Sequence, residues 1–99
     1  MESRSRQDEP LRERTLVEED CFRERLRDLR LAHRALDEIL EELGPALCRK
    51  PEIYPETPGT GIRRALILPG LTHPALRIWF EFDEDTVTLI DIEKTEGGR

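Results

Sequence analysis

Long apolar runs, aromatic rings and cysteine are all scarce in this 99-residue sequence. No stretch approaches the ~18 apolar residues that a membrane-spanning helix needs, so no membrane partner is expected. The opening residues Met1, Glu2, Ser3 and Arg4 lack the apolar segment that directs secretion, and a cytoplasmic location is the expectation. Cys21 and Cys48 are the only cysteines and show no CxxC or Cys/His spacing. They read as reduced thiols filling small apolar sites, with a bridge between them as the lesser alternative. His33 and His73 have no thiol or carboxylate at ligand spacing, so no metal is expected. A phosphate-binding loop, a dinucleotide glycine pattern and a Ser/His/Asp order are all missing. No cofactor is expected, and no motif by itself names a reaction.

A basic excess is missing too. The net charge is −6, from 22 acidic and 16 basic side chains. Nucleic-acid binders draw most of their affinity from neutralising phosphates, so a phosphate-binding surface here has to be a local patch working against the global field. The hydrophobic fraction of 36% is low, and a chain this short buries only about two-thirds of its unfolded surface. One compact domain over residues 13–94 is expected, with a disordered tail over 1–12 and a frayed end over 95–99.

What is present is first helical and then extended, an α+β arrangement. Thr15, Leu16 and Val17 form a short β-prone run. Glu18, Glu19 and Asp20 then place carboxylates where a helix N-terminus favours them. Apolar residues recur at Phe22, Leu26, Leu29, Leu36, Ile39, Leu40 and Leu43, with His33 on the same seam, and this is helical spacing. Glu19/Arg23 and Arg34/Glu38 read as i,i+4 pairs on the wet face. Gly44-Pro45 predicts a helix stop, or one further turn opened by Pro45.

Local rules favour one unbroken helix over 19–43, but its size argues otherwise. Such a helix would be about 37 Å long, whereas a seven-residue strand is about 23 Å. A bend near Leu31–His33, within residues 30–34, buries the whole seam and gives a helical hairpin. Residues 50–61 form a Pro/Gly-rich stiff loop that Ile53 and Tyr54 pin to the core. Strands are expected over 62–68, 75–82 and 86–92, antiparallel through short connections, with an acidic turn at Asp83, Glu84 and Asp85. In the second of these strands, Leu76, Ile78, Phe80 and Phe82 alternate with Arg77, Trp79 and Glu81.

That alternation carries the most pointed chemical signal. Arg77, Trp79 and Glu81 share one strand face, where an Arg and a Trp side by side can grip a phosphate and stack a base. The plainer reading is a partly covered face on which Arg77 pairs with an acid of the neighbouring strand. Arg63 and Arg64 are adjacent on a strand and point to opposite faces. One of them can join Arg77 in a small anion patch, while the other sits near the helices or the sheet edge. Both also read as solvated residues that discourage edge-to-edge aggregation.

The order weak strand, helix, helix, Pro-rich loop and three antiparallel strands resembles the RelE/ParE superfamily of type II toxin–antitoxin toxins. The residues that carry the likeness are RTLVEEDCFRERLRDL, LDEILEEL, ALCRKPEIYP and the closing hairpin ALRIWFEFDEDTVTLIDIE, together spanning roughly residues 14–94. The resemblance implies a short first strand, a helical hairpin and a three-stranded antiparallel sheet in a bacterial, cytoplasmic toxin. It implies one of two activities, ribosome-dependent mRNA cleavage or poisoning of DNA gyrase, and a cognate antitoxin or other protein as partner. Under mRNA cleavage it places Arg77, with Arg63 and Arg64, as the cations that meet the phosphate. It also implies an acid–base tyrosine near the C-terminus. The only tyrosine is Tyr54, in the loop, which leaves the catalytic set incomplete. The alternative is a non-catalytic protein-binding module of the same fold, with Trp79, Arg77 and Glu81 on its partner-binding surface. A monomer and a homodimer are both compatible with this reading.

Overall fold

The computed structural model describes residues 14–71 and 73–95. The tail expected over 1–12 lies outside the described residues, as does the expected fray apart from Thr95. Thr95 is held, donating its backbone N–H to the Ala75 carbonyl at 3.0 Å.

The elements run β1 (Thr15–Glu18), α1 (Asp20–Ala32), α2 (Leu36–Arg49), a 3₁₀ turn (Pro51–Ile53), β2 (Arg63–Ile67), β3 (Leu76–Phe82) and β4 (Thr86–Lys94). Over the described residues the chain is α+β, with two helices and one open sheet of order β1-β4-β3-β2. The sheet differs from the expected three antiparallel strands. β2, β3 and β4 pair antiparallel, but β1 adds to β4 in parallel, which makes the sheet four-stranded and mixed. A parallel partner needs a long crossover, and the chain between β1 and β4 supplies it, running through both helices, β2 and β3.

The helical region breaks where the length argument puts the bend. α1 ends at Ala32 and α2 starts at Leu36, with His33 closing α1 through its N–H to the Leu29 carbonyl at 2.9 Å. Phe22 and Leu26 of α1, Leu36 and Leu47 of α2, and Ile78 and Phe80 of β3 are buried in one core, with Leu29, Leu40 and Leu43 packed against it. Arg34 falls in the bend, so its expected pair with Glu38 has no helical frame. Arg23 pairs with Asp20 rather than Glu19, and also donates to the Glu18 carbonyl.

Gly44-Pro45 does not stop α2, which continues to Arg49. Pro45 has no N–H to offer the Glu41 carbonyl, a local cost. It is offset by what the extra turn buries, Leu47 and Cys48. Gly44 lets β1 pass close by: a Cβ there would lie 3.3 Å from Leu16 Cδ2, so the Leu16 side chain would have to give way by a few tenths of an ångström. Of the cysteines, Cys48 is buried as expected, whereas Cys21 is exposed, and no disulfide joins them. Ile53 does not pin the loop, since it is 67% exposed. Tyr54 does, meeting Phe80 edge-on with ring centroids 5.7 Å apart.

Candidate functional site

The site is positioned by the period of two in β3. Leu76, Ile78 and Phe80 are buried beneath the helices, so Arg77, Trp79 and Glu81 project from the outer face, which no described element covers. On β2, Arg64 stands opposite Trp79 and Leu66 opposite Arg77; on β4, Glu93 stands opposite Arg77.

A β-bulge decides which acid meets Arg77. Pairing runs Phe80 to Leu89 but Trp79 to Asp91, so Ile90 is an extra residue in β4. Val87, Leu89 and Ile92 all reach the buried face as a result. Without that slip, strict alternation from Leu89 would drive Asp91 and Glu93 into the core and turn Ile92 outward. With it, Arg77 Nη1 donates to Glu93 Oε2 at 2.9 Å, and Trp79 Nε1 donates to the same oxygen at 3.2 Å. The guanidinium also lies 5.4 Å from the Trp79 ring centroid. Arg77 Nε is screened from solvent and has no acceptor among the described residues. Asp91 turns to Arg25 of α1, at 3.3 Å, beyond Leu89 where β1 ends its pairing.

Glu93 is the member of this cluster that the sequence alone does not single out. The signal lay in Leu89-Ile90-Asp91-Ile92, where two adjacent apolar residues interrupt the alternation. That pattern marks a bulge somewhere, but only the paired strands show which acid it swings toward Arg77.

The three candidate arginines are not brought together. Arg64 joins Arg77 on the outer face, and its guanidinium makes no hydrogen bond or ion pair with any described residue. Arg63 points to the helix side. There its Nη1 donates to the Tyr54 carbonyl at 2.6 Å and the Glu52 carbonyl at 3.3 Å, its Nη2 lies 3.5 Å from Glu56 Oε1, and it sits 5.3 Å from the Phe82 ring centroid. Arg63 is a clasp holding the Pro-rich loop against the sheet end. Tyr54, under the same loop, packs on Phe80 away from the outer face.

The acidic turn is tied to the start of β1, where the Thr15 N–H donates to the Asp85 carbonyl at 2.8 Å, and is bonded within itself. Asp83 Oδ1 accepts the backbone N–H groups of Thr86 and Asp85, both at 2.8 Å, and the Thr86 hydroxyl at 3.1 Å. These bonds, the Thr86 amide first, hold its carboxyl below the usual carboxylate range. His73 Nδ1 lies 3.0 Å from the Pro74 carbonyl, and His33 serves the helix bend. Among the described residues no group of His, Cys, Asp and Glu could hold a metal ion, and no helix is long and apolar enough to cross a membrane.

The outer face is therefore an open surface of mixed character. Leu66 and Val17 are 62% and 41% exposed around a half-buried Trp79. A neutralised Arg77–Glu93 pair, an unpaired Arg64 and the exposed Glu81 complete it. Trp and Arg set among apolar residues is the composition of interface hot spots. The chain matches no family model and no curated protein.

Proposed function

We propose that this chain is a RelE/ParE-like toxin of a type II toxin–antitoxin pair that acts by gripping a protein target with the outer face of its sheet. The resemblance over residues 14–94 supplies the class. The observation that carries the mode of action is the Glu93 carboxylate, which binds both Arg77 and Trp79 through one oxygen. Phosphodiester cleavage needs a cation free to meet charge that develops on the phosphoryl oxygens, and Arg77 spends its charge on Glu93. A rigid, partly apolar Trp/Arg/Glu cluster suits a protein surface, because the indole is already oriented and loses little freedom on binding.

The test is induced expression in a bacterial host, paired with DNA-supercoiling and translation assays on the purified chain. Growth arrest with blocked supercoiling and intact messenger RNA is the expected result. A wild-type chain that does not slow growth removes the toxin reading and leaves the binding module. Arg64 favours a second reading, ribosome-dependent RNA cleavage, because its guanidinium is unpaired and opposite Trp79. Arg64→Lys separates the two readings. An ammonium keeps the charge for protein contact but not the planar fork that meets two phosphoryl oxygens. Cleavage would fall about 100- to 1,000-fold in that variant, whereas binding would change little.

A further inference from the structure

The opposite side of the molecule carries a second surface, independent of the toxin reading. A groove of about 620 Å³ opens between α1, α2 and β1, with Leu16, Leu26, Leu40, Gly44 and Cys48 along its floor. Leu16 is 39% exposed there. Beneath it a small cavity of about 30 Å³ shares Leu16, Leu40 and Gly44, so the groove reaches down toward the core. We propose that this groove is a docking site for one amphipathic helix of a partner protein, with leucine-type side chains on one face and a Lys or Arg beside them.

The charges around the groove select the sign. Among the described residues five charged side chains line it: Arg14, Glu18, Arg30, Asp37 and Glu41. Arg30 is paired with Asp37 at 2.7 Å. Arg14 keeps its charge but is held at one end by backbone, its Nε donating to the Asp83 carbonyl at 2.6 Å and its Nη1 to the Cys48 carbonyl at 3.5 Å, so the lining as a whole carries one more negative than positive charge. Glu18 and Glu41 are left, and neither carboxylate has a partner among the described residues. Glu18 lines both the groove and the cavity below it, half-buried beside Leu16. A carboxylate in an apolar recess gains most from an incoming cation, because the low dielectric strengthens the pair.

The shape selects a helix. Asp37 to Cys48 along α2 spans about 17 Å, enough for three turns of a guest lying between the two host helices, as ridges lie in grooves. A groove of this volume holds the two or three apolar side chains that such a guest presents on one stripe.

The test uses the full chain and two fluorescein-labelled 14-residue peptides, followed by fluorescence anisotropy. One is built of leucine and lysine with leucine on a single helical face; the other has glutamate in place of lysine. The lysine peptide is expected to bind and the glutamate peptide not. Glu18→Gln with Glu41→Gln should weaken the lysine peptide about tenfold or more, as for a charge pair removed from a partly buried contact. Leu16→Ala should weaken it several-fold with an unchanged circular dichroism spectrum. Glu52→Gln with Glu84→Gln makes the same change in net charge at exposed residues that do not line the groove and should leave affinity unchanged. Absence of binding, equal binding of both peptides, or equal weakening by the two pairs of substitutions would each overturn the proposal. The last result would assign the binding to the overall −6 charge.

Discussion

Arg63 and Arg64 are neighbours in the chain and opposites in the fold. Arg63 turns under the sheet, where two loop carbonyls, a carboxylate and the Phe82 ring engage it. Arg64 turns outward beside Trp79 and bonds to no described side chain. The pleat alone separates them, because successive side chains point to opposite faces. The difference teaches that one pleat gives the two faces of this sheet different surroundings. The covered face holds the fold together, and the open face presents a Trp/Arg/Glu cluster that no described element covers.

The comparison breaks most readily in the core. Phe80 is fully buried against Tyr54 and the helices, so Phe80→Ala should cost about 3–5 kcal/mol in chemical denaturation. In a domain with stability of only about 5–15 kcal/mol, this brings it close to unfolding. An effect below about 1 kcal/mol would mean that the covered face is not the core. Next in size is the clasp. Arg63→Ala leaves the Tyr54 carbonyl, which is only part-buried, without its donor and should cost about 1–3 kcal/mol. Greater proteolytic cutting within residues 50–61 would show that the loop has been released.

The pair on the open face should matter less for stability. Arg77 and Glu93 are each about a third exposed, and such pairs contribute about 0–1 kcal/mol. Glu93→Gln should therefore change the denaturation midpoint little. It frees the Arg77 charge, and under the proposed mode of action it should weaken target binding by loosening Trp79. If Glu93→Gln instead creates RNA cleavage, the neutralising role of Glu93 is supported and the present mode of action is not.

The smallest effect concerns pH. The carboxyl of Asp83 is held below its usual value in the fold, so its stabilising contribution is full above the unfolded value of about 3.9. That contribution fades as pH falls from there through the folded value. Asp83→Asn should flatten this part of the acid-denaturation curve, measured by circular dichroism between about pH 5 and pH 2. An unchanged curve would show that the turn's hydrogen bonds do not depend on the ionised carboxylate.

Much of the covered face was legible in the sequence. The apolar seam from Phe22 to Leu43 and the alternation from Leu76 to Phe82 mark the core, and the mismatch in element lengths predicts the break after Ala32. The limits of β3 came within a residue for the same reason. The parallel pairing of β1 was not legible, because four residues carry too little pattern to choose a neighbour or a direction. Nor was the passage of α2 through Gly44-Pro45. Local rules weigh the lost hydrogen bond but cannot weigh Leu47 and Cys48 entering the core, or β1 passing close over Gly44. On the open face Arg77, Trp79 and Glu81 were legible as a set because the pleat alone decides it. The partner of Arg77 depended on one inserted residue, Ile90, in the neighbouring strand.

The most direct test of the division between faces is Arg64→Glu, scored for denaturation midpoint and for growth arrest on induced expression. A solvent-facing side chain away from the core should shift stability by no more than about 0.5 kcal/mol. A reversed charge beside Trp79 should abolish growth arrest. Growth arrest that persists in a folded Arg64→Glu chain would contradict the account, placing the activity off the open face of the sheet.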